Sequence, residues 1–283
     1  MSDAFVLGDW GTTRLRLFLM EGAQVVARAE GPGALNGDAA GVLAERLGDW
    51  PGVGGAILCG MAGAQGALVE APYASCPADV GQWLAAVVCT EAADVPVTVL
   101  PGLSCRADGV PDVMRGEETQ VFGAMALEPA LASGRHMLVL PGTHSKWVTV
   151  KDGAILSFRT QPTGELFALL SERSTLTGPD MPGGGTFDEG FARGLERSGE
   201  PLAAALFEAR AARLLDGRSK DWSRGYLSGL LIGGEVRTVE EPVTLVGDPA
   251  LCALYERALG SARRIDGDAA VLAGLALAKE NLA

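Results

Sequence analysis

At 283 residues the chain exceeds the usual single domain, and its 48% hydrophobic content suits two cores and excludes a disordered chain. Its 23 basic and 35 acidic residues give a formal charge of −12, which argues against nucleic-acid and anionic-membrane partners and leaves any anionic substrate to a local cluster of donors. Five widely spaced cysteines without a CxxC pair, and only two histidines, exclude a disulfide framework and a local zinc motif; any metal should be a hard, oxygen-ligated ion such as Mg²⁺.

In chain order, the opening Met1-Ser2-Asp3-Ala4 lacks the basic region and long apolar core of a signal peptide. No run of 18 apolar residues occurs, so no transmembrane helix and a cytoplasmic location are expected. Residues 4–8 form an apolar strand, and Leu15, Leu17 and Leu19 alternate with Arg14, Arg16, Phe18 and Met20 as a half-buried strand does. Residues 23–29 pair back through the Glu21-Gly22 turn. A helix over 39–47 is followed by a buried strand over 53–59, a helix over 79–90, a strand over 95–100 and a helix over 116–128. A boundary near Pro129 to Arg135 divides the chain into lobes 1–130 and 131–283. The second half is mostly helical, with helices near 165–172, 187–198, 201–215 and 222–239 and a strand over 243–247. Pro249 starts a further helix, and the chain closes with one over 268–281. Alternating strands and helices indicate an α/β fold with antiparallel hairpins opening each lobe.

Two stretches share one local context. Asp9-Trp10-Gly11-Thr12-Thr13 and Leu140-Pro141-Gly142-Thr143-His144 each follow an apolar run, turn through Gly-Thr, and continue as a strand to an acidic-Gly turn. Such a turn gathers backbone N–H groups and hydroxyls at one tip, where they can hold phosphate. An ordinary hairpin explains either copy alone; the duplication favours two lobes closing on one nucleotide. Asp9 can orient a metal-bound water, and Lys146 beside the second turn can face a transferring phosphoryl group.

Arg115-Gly116-Glu117-Glu118 opens a helix, where carboxylates complement the helix dipole. A carboxylate there can also take the proton of an attacking hydroxyl, and Arg115 can bind a substrate carboxylate through paired donors. Gly60-Met61 ends a buried strand, the usual ligand side of an α/β sheet, and Glu165 lies at a helix start where capping or a ligand contact would each place it.

The opening DWGTTRLR resembles the first phosphate motif of the actin-like sugar kinase superfamily, and Leu245-Val246-Gly247 resembles its adenosine-loop strand. MRGEETQ (Met114 to Gln120), LPGTHSKW (Leu140 to Trp147), TGEL (Thr163 to Leu166) and the stretches Phe191 to Ser198 and Tyr226 to Glu235 resemble the 2-dehydro-3-deoxygalactonokinases over essentially the whole chain. The resemblance implies two ribonuclease-H-like lobes with a nucleotide cleft between them, and transfer from Mg²⁺-ATP to the 6-hydroxyl of a 2-keto-3-deoxy sugar acid. It assigns Asp9, Gly11, Thr12 and Thr13 to the first phosphate turn, with Asp9 near the metal, and Gly142, Thr143 and His144 to the second. Gly233, Gly234 and Gly247 would lie near the adenosine, and Glu117 or Glu118 would be the base, with Glu117 favoured. The superfamily's second turn usually begins with Asp where this chain has Leu140. A phosphohydrolase of the same superfamily, a nucleotide-gated sensor and a cytoskeletal actin relative are the alternatives, in falling order. An apolar helix face would serve a homodimer or only the core.

Overall fold

The computed structural model describes residues 4–34, 38–179 and 182–282. In chain order the first strands are β1 (Ala4–Trp10), β2 (Arg14–Glu21) and β3 (Gln24–Pro32), followed by α1 (Ala39–Gly48), β4 (Ala56–Gly60), β5 (Tyr73–Ser75) and α2 (Val80–Leu84). Next come β6 (Val88–Ala92), β7 (Val95–Val99), β8 (Gly102–Ala107), β9 (Val110–Met114) and α3 (Glu117–Leu127). The chain continues with β10 (Arg135–Leu140), β11 (Ser145–Lys151), β12 (Ala154–Gln161), α4 (Thr163–Glu172), α5 (Phe187–Arg197), α6 (Leu202–Ala205) and α7 (Glu208–Asp216). It ends with α8 (Lys220–Val236), β13 (Val243–Gly247), α9 (Pro249–Leu259), β14 (Arg263–Asp266) and α10 (Gly267–Leu282).

By backbone contacts the chain divides into two compact units. One comprises Met1–Leu138, Val148–Arg159 and Ile265–Ala283, the other Val139–Trp147 and Thr160–Arg264. In the first, a six-stranded sheet runs β3-β2-β1-β4-β7-β6. Its hairpins are antiparallel, while β1 pairs β4 and β4 pairs β7 in parallel. Leu15 and Leu17 face inward with Val6, Trp10, Leu43 and Leu58, as the period-two pattern requires. All five residues of β4 are buried, as a central parallel strand should be. A second sheet, β12-β11-β10-β13-β14, repeats the order of the first four strands of the larger one, which is the structural trace of the duplicated turns.

The helix expected over 79–90 stops at Leu84. Val88 onward is β6, an antiparallel partner of β7 through a turn at Ala93 and Asp94, both at positive φ. The β-branched Val87, Val88 and Thr90 pair better than they coil once a neighbouring strand is present. The helix expected over 201–215 is two pieces, α6 and α7, and the short sheet β5-β8-β9 has no counterpart among the expected elements.

Within the first unit α3 lies directly on α10. A Cβ on Gly123 would stand 1.8 Å from the Ala270 carbonyl oxygen, and one on Gly274 would stand 2.0 Å from that of Thr119. This backbone-to-backbone crossing fixes α3, whose first turn carries Glu117 and Glu118.

Candidate active site

In the first unit, the β1–β4 register sets Asp9 beside Cys59 and Trp10 beside Gly60. Gly60 has φ +76°, and a Cβ there would lie 2.5 Å from the Trp10 carbonyl oxygen, so the strand can end here only on glycine. Gly116, the N-cap of α3, has φ +109°, and its Cβ would come within 3.2 Å of the Gly60 Cα. The start of the carboxylate-bearing helix is thereby held against the end of β4.

The two glutamates fare differently. Glu118 is fully buried and folds back on its own helix start: the Gly116 N–H donates to both carboxylate oxygens at 2.8 and 2.9 Å, and the Thr119 hydroxyl donates at 3.2 Å. Burial, and after it the neighbouring Glu117 charge, pushes its carboxyl up to about 8, so at neutral pH it carries a proton. Glu117 is half-buried and accepts the Arg115 N–H at 3.0 Å.

Asp9 is held on both oxygens. The Arg16 guanidinium bonds Oδ2 and bridges to Asp268 at the start of α10, and the Cys59 thiol donates to Oδ1 at 3.6 Å. Burial, with Asp9 and Glu118 nearby, pushes the Cys59 thiol well up, so it stays protonated. Beyond Asp9, Gly11 closes the turn by donating to the Arg14 carbonyl at 2.8 Å, leaving Thr12 and Thr13 exposed. Among the described residues no group of three or more histidine, cysteine or carboxylate side chains could hold a metal.

Arg115 belongs to a separate cavity of about 510 Å³ in the same unit, lined by Met61, Gln65, Glu70 and Tyr73 among others. Its Nη2 donates to the Ala71 carbonyl at 2.8 Å, and its guanidinium lies 4.3 Å over the Tyr73 ring. Its Nη1 is buried and has no partner among the described residues. Met61 and Arg115 are therefore brought together, whereas Gly60 lies at the α3 start instead.

In the second unit, the Gly142-Thr143 turn meets the start of α4. A Cβ on Gly164 would lie 2.4 Å from the Gly142 carbonyl oxygen, and Glu165 N–H donates to the Thr143 carbonyl at 3.0 Å. His144 Nε2 and Glu165 Oε2 are 2.9 Å apart, both side chains half-exposed. Gly142, Thr143 and Thr163 line a cavity of about 370 Å³ with Phe167, Arg224 and Leu231. Lys146 is not among its lining residues; it is buried at 4% exposure, and its ammonium donates to Thr160 at 3.0 Å. Gly233 packs toward Ser198, Gly234 faces open space, and a Cβ on Gly247 would stand 3.6 Å from the Pro141 carbonyl oxygen, beside the turn.

Sequence reasoning assigned no role to Glu235, which accepts from Trp147 Nε1 at 2.8 Å, from the Tyr255 hydroxyl at 2.9 Å and from the Thr163 hydroxyl. Burial pushes its carboxyl up to about 7, and the Trp147, Tyr255 and Ser145 hydrogen bonds hold it lower than burial alone would. Tyr73, beneath the Arg115 guanidinium, and Arg224 were also missed, because nothing local in the sequence marks either one.

The mixed α/β fold, with its repeated strand order and twin Gly-Thr turns, is of the actin-like sugar-kinase type. At the level of fold alone it resembles component A of Acidaminococcus fermentans (R)-2-hydroxyglutaryl-CoA dehydratase, with TM-score 0.50, 13% identity and 99% of each chain covered. More narrowly, the 2-keto-3-deoxy-galactonokinase family model matches residues 9–278, and the chain belongs to that family. It is 35% identical to the Escherichia coli (strain K12) 2-dehydro-3-deoxygalactonokinase, over 97% of each chain. It is 36% identical to a Rhizobium meliloti (strain 1021) protein described as a probable 2-dehydro-3-deoxygalactonokinase, covering 95% of this chain and 94% of that one. The crystal structure of a Sinorhizobium meliloti protein assigned as a 2-dehydro-3-deoxygalactonokinase superposes with TM-score 0.86 at 32% identity, covering 98% and 99% of the two chains.

Proposed function

We propose that this chain is an ATP-dependent kinase that phosphorylates the 6-hydroxyl of 2-dehydro-3-deoxy-D-galactonate. The observation that carries it is Arg115: a guanidinium with one buried nitrogen that has no partner among the described residues, set in a cavity two residues from Glu117. A sugar acid needs such an anchor for its carboxylate, because an unpaired buried donor costs free energy until an acceptor arrives. Met61 and Tyr73 line the same cavity and would close on the carbon chain.

Glu117 takes the hydroxyl proton. Glu118, protonated at neutral pH and satisfied within its own helix, holds the start of α3 in place rather than accepting protons. The Gly11-Thr12-Thr13 turn and the Gly142-Thr143 turn supply phosphate donors, the latter next to the amide-bearing start of α4. The second unit's cavity, apolar through Phe167, Leu231 and Ile232, takes the base and ribose of ATP, with Gly247 beside its turn. Mg²⁺ would enter as part of the MgATP substrate, where Asp9 would help to hold it and the ion would offset the charge of the phosphates. Lys146 acts on the phosphoryl group by fixing strand β11 through Thr160 rather than by contact. His144 and Glu165 form an exposed pair at the mouth of the second turn. A cytoplasmic location completes the proposal, and sedimentation velocity decides between a monomer and a homodimer.

Product analysis tests the assignment. After incubation with MgATP and the sugar acid, mass spectrometry and phosphorus NMR should show one phosphomonoester on C6. A phosphate on another carbon, or free phosphate alone, would overturn it.

A further inference from the structure

We propose that Glu235 is a positioning residue for the nucleotide: its carboxylate ties Thr163 to Tyr255 and so sets the wall of the second unit's cavity. The proposal rests on that cavity being the ATP site. Thr163 and Tyr255 both line it, and they come from different elements, the start of α4 and the middle of α9. Glu235, near the end of α8, accepts from both, and from Trp147 on β11, so one carboxylate joins four elements of the unit. Ser145, two residues before Trp147, shares a 2.7 Å hydrogen bond with the Tyr255 hydroxyl and extends the same network.

None of the three donors is cationic. Satisfied among the described residues by neutral donors, on a helix whose Ile232 and Val236 are also buried, the carboxylate is costly to bury compared with a well-packed apolar side chain. What the carboxylate gives in return is direction. Gly164, the residue after Thr163, is the one whose backbone lies against Gly142, so a shift of Thr163 moves the α4 start off the phosphate turn. An unmatched acceptor here would therefore be felt by ATP and not by the acceptor's cavity, which belongs to Arg115 in the other unit.

The groups that face Glu235 are Trp147 and Ser145 from β11, Thr163 from α4 and Tyr255 from α9. Tyr255 is the titratable one among them, and burial pushes its phenol up, so it remains a donor. Protonating Glu235 itself removes an acceptor site while three donors still compete for the rest. Its carboxyl is already pushed up to about 7 by burial, which puts this loss within reach of ordinary assay conditions.

Steady-state kinetics of Glu235→Gln from pH 6 to 8.5 test the proposal, with each substrate varied in turn. The variant should raise the KM for ATP about tenfold at pH 8, the size of one lost charge-assisted hydrogen bond, with kcat and the acceptor KM within about twofold. In the wild type the ATP KM should rise as pH falls below about 7, and in the variant that rise should vanish. Ser228→Trp, which fills the cavity, serves as the companion. If Ser228→Trp raises the ATP KM and Glu235→Gln does not, the positioning role is overturned and the cavity assignment stands. If Ser228→Trp leaves the ATP KM unchanged, the cavity is not the ATP site and the proposal falls with it. Equal losses in both substrates' KM values from Glu235→Gln would mean a merely structural carboxylate and would also overturn it. Should Glu235→Gln fail to fold, Thr163→Val, which removes the donor at the wall, is measured instead with the same expected rise.

Discussion

Replacing Glu118 with glutamine should stabilise the protein at neutral pH, and the size of the effect follows from its surroundings. The folded carboxyl sits at about 8 because it is wholly buried beside Glu117, whereas in the unfolded chain it returns to about 4.5. A group whose folded pKa is raised contributes its full stability below the unfolded value and loses it as pH climbs through the folded one. Between pH 5 and pH 8 the wild type should therefore lose about 3–4 kcal/mol from this residue alone, since each tenfold change in proton affinity is worth about 1.4 kcal/mol. Glutamine mimics the protonated acid, keeping an acceptor for the Gly116 N–H, and has nothing to ionise. Urea unfolding curves at half-unit pH steps, followed by circular dichroism, measure the effect in both proteins. Wild-type and Glu118→Gln curves that fall in parallel across this range would refute the burial assignment, and with it the reason for excluding Glu118 as the base.

Three further outcomes follow from the same geometry. Glu117→Gln should lower kcat by about 10²–10⁴-fold with little change in ATP affinity, as loss of a general base does, checked by single-turnover kinetics. Arg115→Ala should raise the sugar-acid KM at least tenfold while leaving the ATP KM unchanged, and Arg115→Lys should restore only part of it, since lysine cannot offer paired donors. Gly164→Ala would put a Cβ 2.4 Å from the Gly142 carbonyl oxygen, so it should cost about 1–3 kcal/mol in thermal unfolding and weaken ATP binding by calorimetry.

Local signals carried much of the fold into the sequence. β1 to β3 were legible because Leu15, Leu17 and Leu19 alternate and Gly22, at φ +59°, sits where a tight turn demands it. The repeat at Gly142-Thr143 was legible for the same reason, down to the Asp152-Gly153 turn, both at positive φ. β9 was not: Pro111 and Asp112 read as loop residues, and only pairing with β8 makes the segment a strand. Nor was the return of α10 to the first unit, which depends on Gly123 and Gly274 letting two backbones touch across more than half the chain. At the site, Asp9, Gly60, Arg115 and Glu117 stood out as turn or helix-start residues. Glu235 did not, since its partner Trp147 is 88 positions away and a lone glutamate late in a helix reads as solvated. The burial of Lys146 was not legible either: the turn motif marks its place in the sequence, while only the sheet shows that β11 is buried almost throughout.

The central claim is that this chain moves phosphate from ATP to a sugar acid and not to water. ADP release should be followed by a coupled assay with MgATP alone, with 2-dehydro-3-deoxy-D-galactonate, and with its gluco epimer. Release that appears only with an acceptor, and is fastest with the galacto acid, is the predicted result; equal release without any acceptor would contradict it.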